Sequence, residues 1–177
     1  GVTVPTHVFD RAFYDADDSL MLEDPETFSY EDIVYEQVRR VLKNLAIRDK
    51  GLKETVASEF YKKSIDQIHK NFPVLKRLKQ RFHIGIISNN YGNLKQMCKD
   101  CGLLPIMDIL VDSNRVGFEK PDVRIFHFAV NLLGIGAEQA VMVGDSLKRD
   151  MAGARHAGMP HVFLIAKESP TAGIPCC

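Results

Sequence analysis

The sequence predicts an α/β protein, a parallel sheet with helices on both faces, preceded by a region built of helices alone. Two observations carry this reading. From residue 72 onward, short apolar runs rich in β-branched residues alternate with runs of helical spacing, and such alternation implies right-handed crossovers and a parallel sheet. Before residue 72 the apolar residues recur at three- and four-residue steps, with no strand pattern among them. The expected division is therefore a helical region over 1–71 and an α/β core over 72–177. A chain of 177 residues, 45% of them apolar, has the material for one such core with an insertion.

From Thr6 to Leu22, Val8, Phe9, Ala12, Phe13, Ala16 and Leu20 trace one face of an amphipathic helix that starts after Pro5. Asp10, Asp15, Asp17 and Asp18 then fall mostly on its wet side. Glu23 to Ser29 is polar, contains Pro25 and reads as a connection. A second helix begins at Tyr30 and carries Val34, Val38, Val41 and Leu45, with Arg39, Arg40 and Lys43 near its C-terminal end, where the dipole favours cations. A third helix runs from about Lys53 to His69. After Phe72-Pro73 the order is helix 73–81, strand 82–87, helix 92–101, strand 108–112, helix 122–133, strand 140–143, helix 149–157 and strand 161–165. Gly102 and Gly134 follow helical runs directly and serve as stops.

Three of the strand ends and loops are unusually polar. The run Phe82 to Ile87 stops at Ser88-Asn89-Asn90, where hydroxyl, amide and backbone N–H groups can hold a phosphate or carboxylate. Lys120 directly precedes Pro121, which disfavours the helical region for the lysine and places it in a loop ahead of a helix. The run Ala140 to Val143 stops at Gly144, and Asp145 and Asp150 follow before an Ala/Gly-rich helical segment. In an open α/β sheet, ligands bind outside the carboxyl ends of the strands, so these carboxylates stand where a hard divalent cation finds oxygen ligands.

Together, Ile-Ser-Asn at 87–89, Lys-Pro-Asp at 120–122 and Gly-Asp-Ser-x-x-x-Asp at 144–150 resemble the second, third and fourth motifs of the haloacid dehalogenase-like (HAD) hydrolase superfamily, in the family's order. The resemblance covers residues 72–165 well. It implies a Rossmann-like core, makes the N-terminal helices similar to the family's substrate-selecting helical cap, and points to a phosphatase-type enzyme. It further implies an aspartate nucleophile, Mg²⁺ as cofactor and a second aspartate two residues on as general acid and base. By position, Ser88, Lys120 and Asp145 would be catalytic. Ser88, Asn89 and Lys120 would contact the substrate, and Asp145 and Asp150 would hold Mg²⁺ directly or through water, with Ser146 a weaker candidate.

The first motif departs from the family pattern of an apolar strand followed by Asp-x-Asp-x-Thr. Its nearest match, Asp15-Ala16-Asp17-Asp18-Ser19, lies within the helical periodicity, and residues two apart on a helix point about 200° apart. The reading preferred is a nucleophile strand upstream of Gly1, with Asp15 and Asp17 left in the cap. The functions carried forward are a Mg²⁺-dependent phosphatase of a small phosphorylated metabolite, a metal-independent 2-haloacid dehalogenase, and an inactive fragment or binding protein.

Lysine plus arginine balance aspartate plus glutamate at 23 each, which gives no nucleic-acid footprint. The apolar runs are all shorter than a membrane span, and no signal-peptide pattern opens the chain, so a cytoplasmic protein with a small-molecule partner is expected. Cys98 and Cys101 fall in a helix and Cys176 and Cys177 at the end of the chain, which reads as reduced thiols rather than a zinc site.

Overall fold

In the computed structural model, residues 3–21 and 27–164 are described. They form two compact units, one of residues 1–84 and 90–108, the other of residues 85–89 and 109–177.

The first unit is helical. Helix α1 (Thr6–Met21) spans the expected helical segment up to Met21, and Leu22 lies outside the described residues. It buries Ala12, Ala16 and Leu20, while Val8 and Phe9 of the same expected stripe stay over 40% exposed. Helix α2 (Tyr30–Asn44) starts at a capping box: Asp32 N–H donates to the Ser29 hydroxyl, and Ser29 N–H donates to the Asp32 carboxylate. Val41 packs on Ala12 and Ala16. Buried Arg40 ties the two helices, bonded to Glu36 and to Ser19 Oγ at 2.8 Å each. Asp17 also turns inward and accepts from Gln37 at 3.1 Å and from the Tyr91 hydroxyl, so it leaves the wet side expected for it.

Helix α3 is one element, Lys50–Lys79, with Pro73 inside it, where the sequence predicts two helices and a break. Proline has a helical φ and removes one N–H, so the break depends on whether the carbonyl four residues back must be satisfied by protein. Here that residue is His69, which is exposed, and water can solvate its carbonyl. Helix α4 (Leu94–Asp100) belongs to this unit. Asn93 donates to the Phe28 carbonyl at 3.0 Å and Asp100 accepts from Tyr30 N–H at 3.1 Å. Cys98 and Cys101 are buried free thiols, and burial pushes both up to about 11, which keeps them protonated and unreactive.

The second unit holds the parallel strands. Strand β1 (Gly85–Ser88) pairs with β2 (Ile109–Asp112), Gly85 opposite Ile109 and Ser88 opposite Asp112. A short turn of helix, α5 (Ser113–Val116), follows β2, and then helix α6 (Val123–Leu133), which starts at the Asp122 cap and ends at Gly134 in the left-handed region. Strand β3 (Met142–Gly144) pairs in parallel with β4 (His161–Phe163), and helix α7 (Ala152–His156) lies between them in sequence. The core is Val111 of β2, Ile125, Phe126, Ala129 and Val130 of α6, and Ala154 of α7, with Ile87 and Met142 packed at its border. Gly153 lets α7 approach α6 closely, since a Cβ there would come within 2.6 Å of the Phe126 ring. The α/β class expected from sequence holds, with one feature the sequence does not announce: among the described residues β1 pairs only with β2, and β3 only with β4. Each pair therefore keeps two unpaired edges among the described residues, one on each strand. Val141 and Val143, which alternate with core-facing Met142, are 59% and 52% exposed.

Candidate active site

Ser88 ends β1 and Asn89 follows it, Asp145 follows the last residue of β3, and Lys120 stands in the loop before α6. All four belong to the second unit, and so does Asp150. Asn89, Lys120 and Asp145 stand just outside the regular elements, whereas Ser88 is the last residue of the β1 ladder and Asp150 sits within a helical turn.

Contacts link most of them. The Asn89 side chain grips the backbone of Lys120 twice: Lys120 N–H donates to Asn89 Oδ1 at 2.7 Å, and Asn89 Nδ2 donates to the Lys120 carbonyl at 3.0 Å. Lys120 Nζ then reaches Asp150 Oδ1 at 2.7 Å, with the two side chains only 13% and 5% exposed. The approach is that of an ion pair rather than of an aligned hydrogen bond, and Oδ1 has no hydrogen-bond donor among the described residues. Asp150 Oδ2 accepts from Ser146 N–H at 3.1 Å.

The seat of Asp150 is a π-helical turn, Leu147–Met151, opened by Ser146, whose hydroxyl accepts from Arg149 N–H at 3.0 Å. Single π turns of this kind are frequent at functional sites. Gly144 makes room for it: a Cβ at that position would lie within 2.6 Å of Asp150 Cγ. The glycine at the strand end is thus a packing requirement of the buried carboxylate.

Asp145 is exposed and its carboxylate has no hydrogen bond or ion pair among the described residues. Ser88 is half-buried, and its hydroxyl has only a long contact, 3.5 Å, to the Asn89 carbonyl. Both are therefore available to a ligand. Among the described residues no three carboxylate, histidine or cysteine side chains form a ready metal cage. The donors do suit Mg²⁺, which keeps several waters and needs only one or two protein carboxylates. Asp145 can supply one oxygen directly, with Asp150 behind it, its Oδ1 buried against Lys120.

The first-motif candidates fall in the other unit and on a helix. Asp15 is 61% exposed and 3.9 Å from Arg11, whereas Asp17 is held by Gln37 and Tyr91. They point in different directions, as the helical reading requires. The two surface clefts that stand out in the first unit are lined by residues such as Arg39, Lys43 and Lys53, and neither includes a candidate site residue. The sequence reading missed the roles of Gly144 and Ser146. The signal available for them was a glycine before and a helix-capping serine after Asp145.

Residues 20–164 match the family model described as haloacid dehalogenase-like hydrolase. The chain belongs to this family. It is 36% identical over 92 residues to haloacid dehalogenase-like hydrolase domain-containing protein 3 of Bos taurus, covering 52% of this chain and 36% of that protein. It is 39% identical over 85 residues to the glyceraldehyde 3-phosphate phosphatase of Methanothermobacter thermautotrophicus, covering 47% of this chain and 37% of that one. The HAD chain thus spans little more than a third of the length of these two relatives. Among solved structures it resembles the putative HAD-hydrolase YfnB of Bacillus subtilis in fold, with a TM-score of 0.59 at 22% identity over 92% of this chain and 74% of that one. Among the described residues, no helix is long and apolar enough to cross a membrane.

Proposed function

We propose that this HAD chain belongs to a Mg²⁺-dependent phosphatase that hydrolyses a small phosphorylated metabolite through an aspartyl-phosphate intermediate. The observation that carries the reading is Lys120. A loop lysine with its backbone clamped by Asn89 and its ammonium buried against Asp150 is a cation preorganised in a site of low polarity, where it stabilises developing phosphoryl charge far better than a mobile surface lysine. Relatives named phosphatases, at 33% identity for the phosphoserine phosphatase of Thermus thermophilus and 39% for the glyceraldehyde 3-phosphate phosphatase, support the same class.

In this reading the Ser88 hydroxyl donates to a phosphoryl oxygen and Lys120 offsets the charge of phosphate and nucleophile. Asp145 holds the metal, with Asp150 behind it. Bound Mg²⁺ supplies charge neutralisation at the phosphoryl oxygens. The nucleophile carboxylate attacks phosphorus, the leaving alkoxide takes a proton from the neighbouring acid, and water then hydrolyses the acyl phosphate with that acid acting as base. Asp15 does not suit the nucleophile's role, because a helix cannot aim it and Asp17 into one site. We place the nucleophile instead on a strand upstream of Gly1, which would use the unpaired edges of β1 and β3. Asn89 is not needed for substrate binding in this scheme.

The competing dehalogenase reading requires no metal, and the unpaired, exposed Asp145 would repel the substrate's carboxylate. Incubating a form that carries the upstream strand with a panel of phosphomonoesters and of 2-haloacids, with phosphate and halide release measured together, tests the class. Phosphate release alone is expected. Halide release, or neither product, would reject the phosphatase reading.

A further inference from the structure

We infer that Asn89 is a positioning residue for Lys120, not a substrate ligand, and that Lys120 works as a cation pinned at both ends: its backbone by Asn89, its ammonium by Asp150. The inference rests on the phosphatase reading only for what Lys120 does in turnover.

Lys120 lies in the loop between α5 and α6, and its N–H and C=O belong to no ladder or helix. Backbone polar groups that are half-buried need partners. Asn89, 31 residues earlier, supplies both with one side chain. The pairing also fixes which way the amide faces, since the oxygen must meet Lys120 N–H and the nitrogen must meet the Lys120 carbonyl. Two bonds to a single residue hold the plane of its peptide groups as well as its position, and so set the direction in which the Lys120 side chain leaves the loop. That direction brings Nζ to 2.7 Å from Asp150 Oδ1. Asn89 is also the last residue of the second unit before the chain passes into the first, so the clamp fixes the lysine to the end of β1. A substrate ligand would instead present its amide to open space, and here the oxygen and one N–H are already directed at Lys120.

The test is the rate at which trinitrobenzenesulfonate modifies each lysine of this chain, read by peptide mass spectrometry. Lys120, buried and paired, should react at least tenfold more slowly than exposed Lys148. In Asn89→Ala the Lys120 rate should rise toward that of Lys148, while Lys148 and Lys76 stay unchanged. The near-isosteric Asn89→Asp keeps the acceptor for Lys120 N–H and loses the donor, and should fall between the two; it also serves if the alanine variant does not fold. A uniform rise at all lysines would indicate general loosening and overturn the inference, as would an unchanged Lys120 rate. In an active form, Asn89→Ala should lower kcat about tenfold with KM within twofold, whereas a raised KM at unchanged kcat would mark a substrate ligand. Labelling needs no turnover, so a Lys120 response in this chain, combined with no turnover by a form that carries the upstream strand, refutes only the phosphatase reading.

Discussion

Asp150→Ala should destabilise the second unit by roughly 3 kcal/mol, the low end of the penalty for removing one partner of a buried ion pair. The low end applies because the stranded Lys120 ammonium is 13% exposed and can regain some water, whereas Asp150 itself is 5% exposed. The loss includes about 1 kcal/mol for the Ser146 N–H, which gives up its acceptor. Lys120→Ala should cost at least as much, because it leaves the more deeply buried charge unpaired. The double variant should cost clearly less than the sum of the two single variants, by about 2 kcal/mol, since removing both charges leaves neither stranded. Urea unfolding followed by circular dichroism, with all four proteins at one pH and salt concentration, gives the cycle. If Asp150→Ala shifted stability by less than about 1 kcal/mol, or if the two substitutions were additive, the pair would not be a buried, coupled unit and its place at the centre of the site would fall.

The same geometry sets three further outcomes. Gly144→Ala should destabilise by roughly 1–3 kcal/mol, because the new Cβ meets the buried Asp150 carboxyl, which cannot swing into solvent; its urea midpoint against wild type checks this. Asp108 is held near 2, below the ordinary carboxylate value, first by Lys79 at 2.5 Å and then by Ile84 N–H. Its folded value is the lower one, so its contribution is complete above about pH 4 and is lost as pH falls toward 2; Asp108→Asn should flatten the acid limb of the stability curve in that window alone. Lys120→Ala should lower turnover of an active form roughly a hundredfold, the scale of losing one preorganised electrostatic contact, and unchanged kinetics would remove Lys120 from the mechanism.

The polar strand ends were legible because they interrupt strong patterns. Ser88, Asn89, Lys120 and Asp145 each follow a β-branched run or precede a proline, and the structure puts them all in one unit. Helices α1 and α2 were equally legible, since apolar spacing declares their faces, while the Ser29–Asp32 capping box that fixes the start of α2 emerged only from the structure. Pro73 misled, because its effect depends on whether the carbonyl four residues earlier is solvated, which periodicity does not report. The partners of Asn89 and Asp150 were not legible either. Both meet Lys120 across about thirty residues of chain, a distance set by how β1, α6 and the π turn pack rather than by any local pattern. The unpaired edges of β1 and β3 are likewise a property of pairing, which single strands do not reveal.

The central claim is a phosphoryl-transfer site in which Asp145 holds Mg²⁺ beside a pinned Lys120. It is tested most directly by phosphate release from a phosphomonoester by a form that carries the upstream strand, measured with Mg²⁺, with excess EDTA, and in Asp145→Asn. The account predicts turnover that EDTA abolishes and added Mg²⁺ restores, and a variant that needs a much higher Mg²⁺ concentration for a lower maximal rate. Full activity in EDTA, or an Asp145→Asn variant with the wild-type Mg²⁺ dependence, would contradict it.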